Sequence, residues 1–528
     1  MTRIRIIVGV VLAVGLAVAA WLWWNSHHAP AESFADRPVR VAVEGRLVTF
    51  DPHAHDESAT WAVLCNIYEG LVRFDRRLQL QPGLAESWSN PDPLHWIFRI
   101  RRGVLFHDGR PLRAADVVYS LRRAVFHEDS LVSGYFASVK SIASAGSESV
   151  VVETTEPDPI LLNKLAFAFV VPQAETMEQS SLATRPVGTG PYRLDGWTAD
   201  NRFVLRRVTD YWGPRPAVGE IEMVGIPDEG KRADALSARD VDLARTLDWS
   251  HVADLAGRPG IAILAENSLT VMMLSLYTGE FMPDSRWPKR NPLALREVRQ
   301  AIQLALDRPA IAARFQNGRA QPSYQYAPPE VFGYDRQSAV PPRDVAAARR
   351  LLQAAGYPDG FAMELYVYSS IQSLGEGIRD NLAEAGIRVR FRYLAWEDLY
   401  QRMFSSNPPQ AVIYGWSCTS GDLSDFFESC LYTRSAQGRE KLGAFNSSRF
   451  SHAQLDGWIR KSRTLMDPAA RLEMLTAIQR LALAECPVIP LTINPDIYGY
   501  DAALTWEPRR DSRLDFSRFS WRPPAARP

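Results

Sequence analysis

The clearest pattern of apolar and polar positions lies between residues 344 and 416. DVAAARRLLQAAG (344–356) has helical composition, closes at Gly356 and stops at Pro358, after which FAMELYVY (361–368) reads as a strand. A second helix through Ile378, Leu382 and Ala385 ends at Gly386. IRVRFRYL then alternates, with Ile387, Val389, Phe391 and Tyr393 on one face and Arg388, Arg390 and Arg392 on the other. A third helix near 396–404 leads into the strand AVIYGW (411–416). The order β-α-β-α-β predicts a mostly parallel sheet with helices on its faces. The segment YGWSCTSGDLSDFF (414–427) therefore sits at the carboxyl end of a sheet strand, where open α/β sheets bind ligands.

The front half is patterned differently. VRVAV (39–43) is the first credible strand, and HWIFRI (95–100) and the turn HDGR (107–110) precede a helix from about Ala114 to Val125. That helix would turn Val117, Val118, Leu121 and Val125 inward. Strands recur at VVVET (150–154) and RFVLRRV (202–208), which suggests a lobe richer in antiparallel pairing, with one lobe inserted into another.

With 528 residues the chain is too long for one hydrophobic core, so two or three lobes are expected. Sixty basic side chains balance sixty acidic ones, which removes the electrostatic case for nucleic acid as a partner. IIVGVVLAVGLAVAAWLWW (6–24) carries no charge and matches the thickness of a bilayer core, as a membrane span or a long signal sequence. Arg3 and Arg5 before it place the remainder outside the cytoplasm. Ala29-Pro30-Ala31 is a poor cleavage site, and Trp21, Trp23 and Trp24 suit an interfacial belt, so a retained anchor in the cytoplasmic membrane is the preferred expectation. Of the four cysteines only Cys418 and Cys430 are close in sequence, and their spacing leaves a bridge and two buried thiols both open.

Chemical motifs are sparse. His107-Asp108-Gly109 reads as turn geometry, and VGTGPY (187–192) lacks the spacing and the Lys-Ser/Thr end of a phosphate loop, reading instead as a tight hinge or crossover. The nine histidines form no HExxH, and no GxSxG occurs, so metalloprotease and α/β-hydrolase chemistry have no foothold. No cofactor or metal site is expected, and no enzymatic activity.

Several stretches together resemble the extracytoplasmic solute-binding proteins of peptide ABC transporters, the oligopeptide- and dipeptide-binding type (family 5). LAESWSNPDPLHWIFRIRRGVLFHDGRPLRAADVVYSLRRAV (84–125) looks like that family's signature almost end to end. PVGTGPYRL (186–194), DYWGPRPAVGEI (210–221), ALSARDVDLA (235–244), LREVRQAIQLALDRPAI (295–311), ARRLLQAAGYPDG (348–360) and CPVIPL (486–491) follow in the family's order.

The resemblance implies an α/β fold of the periplasmic-binding-protein type II class, with three lobes and a hinge. Lobe I would comprise residues 37–75, 187–280 and 490–522, lobe II 76–186 and lobe III 281–489, after an N-terminal segment 1–36. An extended peptide would pair with main-chain groups of lobes I and III and then pass to the permease subunits of a transporter. Tyr414, Gly415, Trp416, Ser417, Cys418 and Thr419 would form one wall and Gly45 the opposite one. The family's wall carries an Asp for the peptide's α-ammonium where this chain has Thr419. Three readings follow, in order of preference: Asp422 substitutes as the anchor, the ligand lacks a free amine, or ordinary peptides are not imported. Further departures are Tyr277, counted with the wall as a ligand-binding residue, for a frequent Asn, Arg239 for a turn glycine and Arg113 for a capping Ser or Thr.

Overall fold

The computed structural model describes residues 37–522, apart from Arg46, Val48, 56–57, 175–180, 199–200, Asp248, 283–289, 339–341 and 435–441. The apolar stretch 6–24 lies outside the described residues. Among the described residues no helix is long and apolar enough to cross a membrane.

Strand β1 (Val39–Val43) is almost wholly buried. The chain then builds a separate antiparallel sheet from β2 (Ala85–Asp92), β3 (His95–Ile100), β4 (Val139–Ser144) and β5 (Ser149–Thr154), in the order β2-β3-β5-β4. Helix α1 (Ala114–Phe126) buries Val117, Leu121 and Val125, while Val118 is half-buried. Arg113 has no capping hydroxyl to offer. Asp116, one turn on, accepts the Arg113 N–H at 2.9 Å and the Gln173 N–H at 2.9 Å, so an acid inside the first turn takes over the missing function.

Next come β6 (Tyr192–Trp197), β7 (Arg202–Arg207), β8 (Glu220–Gly225), α2 (Glu229–Ser237), β9 (Leu243–Ala244), α3 (Trp249–Leu255) and the 16-residue β10 (Ile261–Leu276). The α/β half follows with α4 (Arg296–Ala305), α5 (Val345–Ala354), β11 (Ala362–Tyr368), α6 (Gln372–Glu384), β12 (Arg388–Leu394), α7 (Trp396–Phe404) and β13 (Ala411–Ser417). Asp344 caps α5 through the Ala347 N–H at 2.8 Å, and Gly356 takes the left-handed φ of 88° that ends it. Helix α8 (Pro468–Glu485) leads into the 14-residue β14 (Val488–Asp501).

One large sheet has the order β12-β11-β13-β10-β14-β9-β1-β8-β7-β6. Strand β11 is parallel to both β12 and β13, as the β-α-β-α-β pattern requires. The sheet as a whole is mixed, because β13 meets β10 antiparallel, and β10 and β14 are antiparallel to each other. The reason is topological: β10 and β14 arrive as long through-going strands rather than by helical crossovers. On the far side of this pair β9, β1 and β8 form a second parallel group. The alternating faces of β10 feed different cores, Met272 and Leu274 packing with Ile302, Ile378 and Ile413, and Val271 and Met273 with the cluster that holds Val41, Leu205 and Ile221.

Both sheet edges are blunted. β12 exposes Arg388 and Arg390, with Arg392 held to Glu364 at 2.6 Å, and β6 carries a register slip between Leu194 and Gly196. Arg239, standing for a turn glycine, keeps the left-handed φ of 64° and donates to the carbonyls of Gly260 and Pro259 at 3.0 and 2.7 Å.

The GTG segment is a crossover. A Cβ on Gly188 would lie 2.0 Å from the Ile67 carbonyl oxygen, and one on Gly190 2.5 Å from that of Asn66. His107 accepts the Gly188 N–H at 3.3 Å and donates from Nε2 to the Gly190 carbonyl at 3.0 Å. Burial lowers the His107 pKa to about 4, partly offset by the Gly190 bond, so the neutral ring is a structural clamp. Gly188→Ala should lower the urea midpoint with little change in slope, at a cost of about 1–3 kcal/mol from overpacking against backbone that cannot yield.

Candidate ligand-binding cleft

Strand β13 buries Ala411 to Tyr414 and then surfaces at Gly415, Trp416 and Ser417. Pairing aligns Ser417 with Thr270, Trp416 with Val271 and Gly415 with Met272. A Cβ on Gly415 would meet Thr270 Cγ2 at 2.8 Å and Met272 Sδ at 3.1 Å, so a flat residue is required there. The hydroxyls of Ser417 and Thr270 are hydrogen-bonded at 2.5 Å. Trp416 packs on Phe445 and Phe426 with ring centroids 5.4 and 6.3 Å away, and its buried Nε1 has no hydrogen-bond partner among the described residues. The chain then turns: the Thr419 N–H donates to the Ser417 carbonyl at 2.9 Å, and Gly421 closes the turn on Cys418 with a φ of 73°. Thr419 is half-buried and neutral.

Asp422 is not available to a ligand. Arg471 donates to both of its oxygens, Nη1 to Oδ2 at 2.6 Å and Nη2 to Oδ1 at 2.9 Å, and both side chains are 4% exposed. The Ser424 N–H adds a third bond at 3.0 Å. The expected substitute anchor is thereby corrected, since a buried carboxylate with this partner has no reason to exchange it for an ammonium. Tyr414 and Cys418 are also buried, the tyrosine beside Cys430. All four cysteines are free, and burial pushes the Cys418 and Cys430 thiols well up, away from the reactive thiolate.

Asp425 is the other acid of this segment. It accepts the Ser420 hydroxyl at 3.2 Å, while the Ser420 carbonyl accepts Asn163 Nδ2 at 2.7 Å, tying the turn to the region of the antiparallel sheet. Burial, with help from Glu428 and Asp422 and against the Ser420 bond and Lys164, pushes the Asp425 pKa up to about 7.

Tyr277 does not join the wall. Its N–H bonds to the Gln410 carbonyl at 2.9 Å, and Leu276 pairs with Ala411, so it lies beyond the start of β13. Trp416 is at the other end of that strand, about 17–20 Å away at ~3.3 Å per residue. Gly45 follows β1 with a φ of 76°, and its carbonyl accepts Asn201 Nδ2 at 3.2 Å. Beside it, at the carboxyl ends of adjacent parallel strands, Glu44 and Arg245 are ion-paired at 3.2 Å.

An open groove of about 850 Å³ separates the carboxyl end of β8 (Pro227, Asp228, Glu229) from that of β11 (Ser369, Ser370), with Trp249 and His251 along it. It is spanned where the Trp249 N–H donates to Gln316 Oε1 at 3.2 Å and the Arg319 guanidinium stacks 4.6 Å from the Trp249 ring. Sequence reading named none of these residues, nor Glu44 and Arg245. Glu44, Arg245, Pro227 and Ser369 share with Trp416 a local signal, a position at or just after the end of a parallel strand. Among the described residues no group of three or more His, Cys, Asp or Glu is placed to hold a metal ion.

Two parallel strand groups whose carboxyl ends face one polar groove define a solute-binding architecture. The description "Bacterial extracellular solute-binding proteins, family 5 Middle" matches residues 79–438, and the chain belongs to this family. The glutathione-binding protein GsiB of Escherichia coli O1:K1 is 26% identical over 486 residues, covering 90% of this chain and 92% of that protein. Among solved structures, DppA from Helicobacter pylori in complex with peptide STSA has a TM-score of 0.76 at 22% identity, covering 92% of this chain and 98% of its own. NikA from Staphylococcus aureus in complex with Ni(L-His)2 has a TM-score of 0.74 at 18% identity, covering 92% of this chain and 100% of its own. The protein is thus a solute-binding protein of the ABC-transporter type with the periplasmic-binding-protein fold.

Two substitutions probe the segment. Asp422→Asn should cost about 3–5 kcal/mol in chemical denaturation, because Arg471 is left buried and uncompensated. Asp425 titrates at about 7 when folded against 3.8 for the ordinary group, so the folded state holds the extra proton and stability falls as pH rises between those values. Asp425→Asn should flatten that fall, read as urea midpoints across the pH range.

Proposed function

We propose that this protein captures peptides or peptide-like solutes between two lobes outside the cytoplasm and delivers them to the permease subunits of an ABC transporter. The observation that carries the reading is the groove itself, flanked by strand ends from both parallel groups, Pro227 to Glu229 on one side and Ser369 and Ser370 on the other. Lobe I is assigned residues 37–75, 187–280 and 490–522, lobe II 76–186 and lobe III 281–489, with bending at the long β10–β14 pair. Residues 6–24 would hold the protein to the cytoplasmic membrane. The peptide bound by DppA and the glutathione bound by GsiB support a peptide-like ligand. The protein acts as a binder and carries out no reaction.

A second reading is favoured by the neutral Thr419 and by the nickel chelate held in NikA: the same cleft would take a non-peptide solute, such as a glycan fragment or a metal chelate. Thermal unfolding of the full chain in detergent separates the two. Free, N-acetylated and C-amidated short peptides, glycans and nickel–histidine are titrated, and a bound ligand raises Tm in proportion to the logarithm of its concentration. A rise with peptides is expected; a rise confined to a sugar or a chelate would sink the peptide reading.

A further inference from the structure

We infer that Glu44 and Arg245 form a head-group site for a free α-amino acid, a single carbon bearing both an ammonium and a carboxylate. The inference deepens the proposed function and rests on the reading that the cleft takes peptide-like solutes.

Its geometry is set by strand pairing. Ala42 and Ala244 are register partners in the parallel strands β1 and β9, the Arg245 N–H donates to the Ala42 carbonyl at 3.1 Å, and the chain bends at Glu44 just after β1, which lets its side chain reach that of Arg245. Arg232 fixes this backbone by donating from Nε to the Arg245 carbonyl at 2.9 Å. Arg245 Nη2 and Glu44 Oε1 lie 3.2 Å apart, with the arginine side chain 5% exposed and the glutamate side chain 28% exposed. One member is therefore locked in the wall, and the other is partly exposed.

The ion pair leaves two atoms unmade. Glu44 Oε2 and Arg245 Nε are both buried without a hydrogen-bond partner among the described residues. An unpaired buried acceptor beside an unpaired buried donor is a costly arrangement that a ligand relieves only by bringing the complementary groups together. An α-amino acid does this, its ammonium donating to Oε2 and its carboxylate accepting from Nε. Near the pair Asp496 adds a second carboxyl, hydrogen-bonded by the Ser512 and Tyr498 hydroxyls, and Arg232 adds a second guanidinium, so the charges balance as they do in a zwitterionic guest.

An ordinary linear peptide cannot use the site fully, because its ammonium and its terminal carboxylate sit at opposite ends. Free amino acids, and peptides joined through a side-chain carboxyl, keep both on one carbon. The neutral Thr419 on the opposite wall fits the same ligand class, since it offers no charge to a linear N-terminus.

Titration calorimetry of the full chain tests this with glutathione, its α-linked isomer α-glutamyl-cysteinyl-glycine, N-acetylglutathione and trialanine. The wild-type protein should bind glutathione at least about tenfold more tightly than the isomer or the acetylated form, and Glu44→Gln should weaken glutathione about 10- to 100-fold while leaving the isomer unchanged. Equal binding of glutathione and N-acetylglutathione by the wild-type protein overturns the assignment even if the variant fails to fold. Retention of the preference by Glu44→Gln overturns it as well. Binding of trialanine without glutathione leaves the proposed function standing and removes the head-group site. Silence with every peptide removes both.

Discussion

The pairing of β10 with β14 is the constraint on which the rest of the molecule depends. Residues 261–267 pair with 495–501, and 271–275 pair with 488–493 after a slip, so one antiparallel ladder runs through both parallel strand groups. Each group then adds strands outward from this ladder, β13 and β11 on one side and β9 and β1 on the other. Because the two faces of β10 serve different cores, neither half can repack without disturbing the strand they share. The carboxyl ends of both groups are thereby aimed at a common groove, and side chains far apart in sequence become neighbours there.

Much of the α/β half was legible because its elements obey one period each. Helix, glycine stop and alternating strand recur between 344 and 416, and the observed boundaries fall within a residue or two of the pattern. The ladder was not legible, for a physical reason. Glu266, Asn267 and Ser268 interrupt β10 with polar side chains, and Pro490 and Pro495 interrupt β14, which by propensity demotes both segments. In the folded protein Pro495 faces Asn267 and Pro490 faces Met273, each beside a register slip where the ladder can do without the proline N–H.

The site shows the same division. The expectation for Trp416, Ser417 and Thr419 rests on a local signal, a strand that ends in front of them. The commitment of Asp422 was invisible, since its partner Arg471 comes from a helix 49 residues later. A carboxylate seen in sequence is only a charge; whether it is free depends on what the fold brings to it. Here the fold consumes the acid near the wall and leaves an oxygen of Glu44 unclaimed on the other side.

The treatment of the sheet edges acquires a further meaning beside this cleft. Any sheet edge with free main-chain groups is itself a receptor for extended chains, indifferent to sequence. A protein whose working ligand is peptide-like would lose selectivity if its outer strands competed with its interior for the same backbone. The exposed arginines of β12 and the slip in β6 make both rims poor templates, so neither would compete with the interior for an extended ligand.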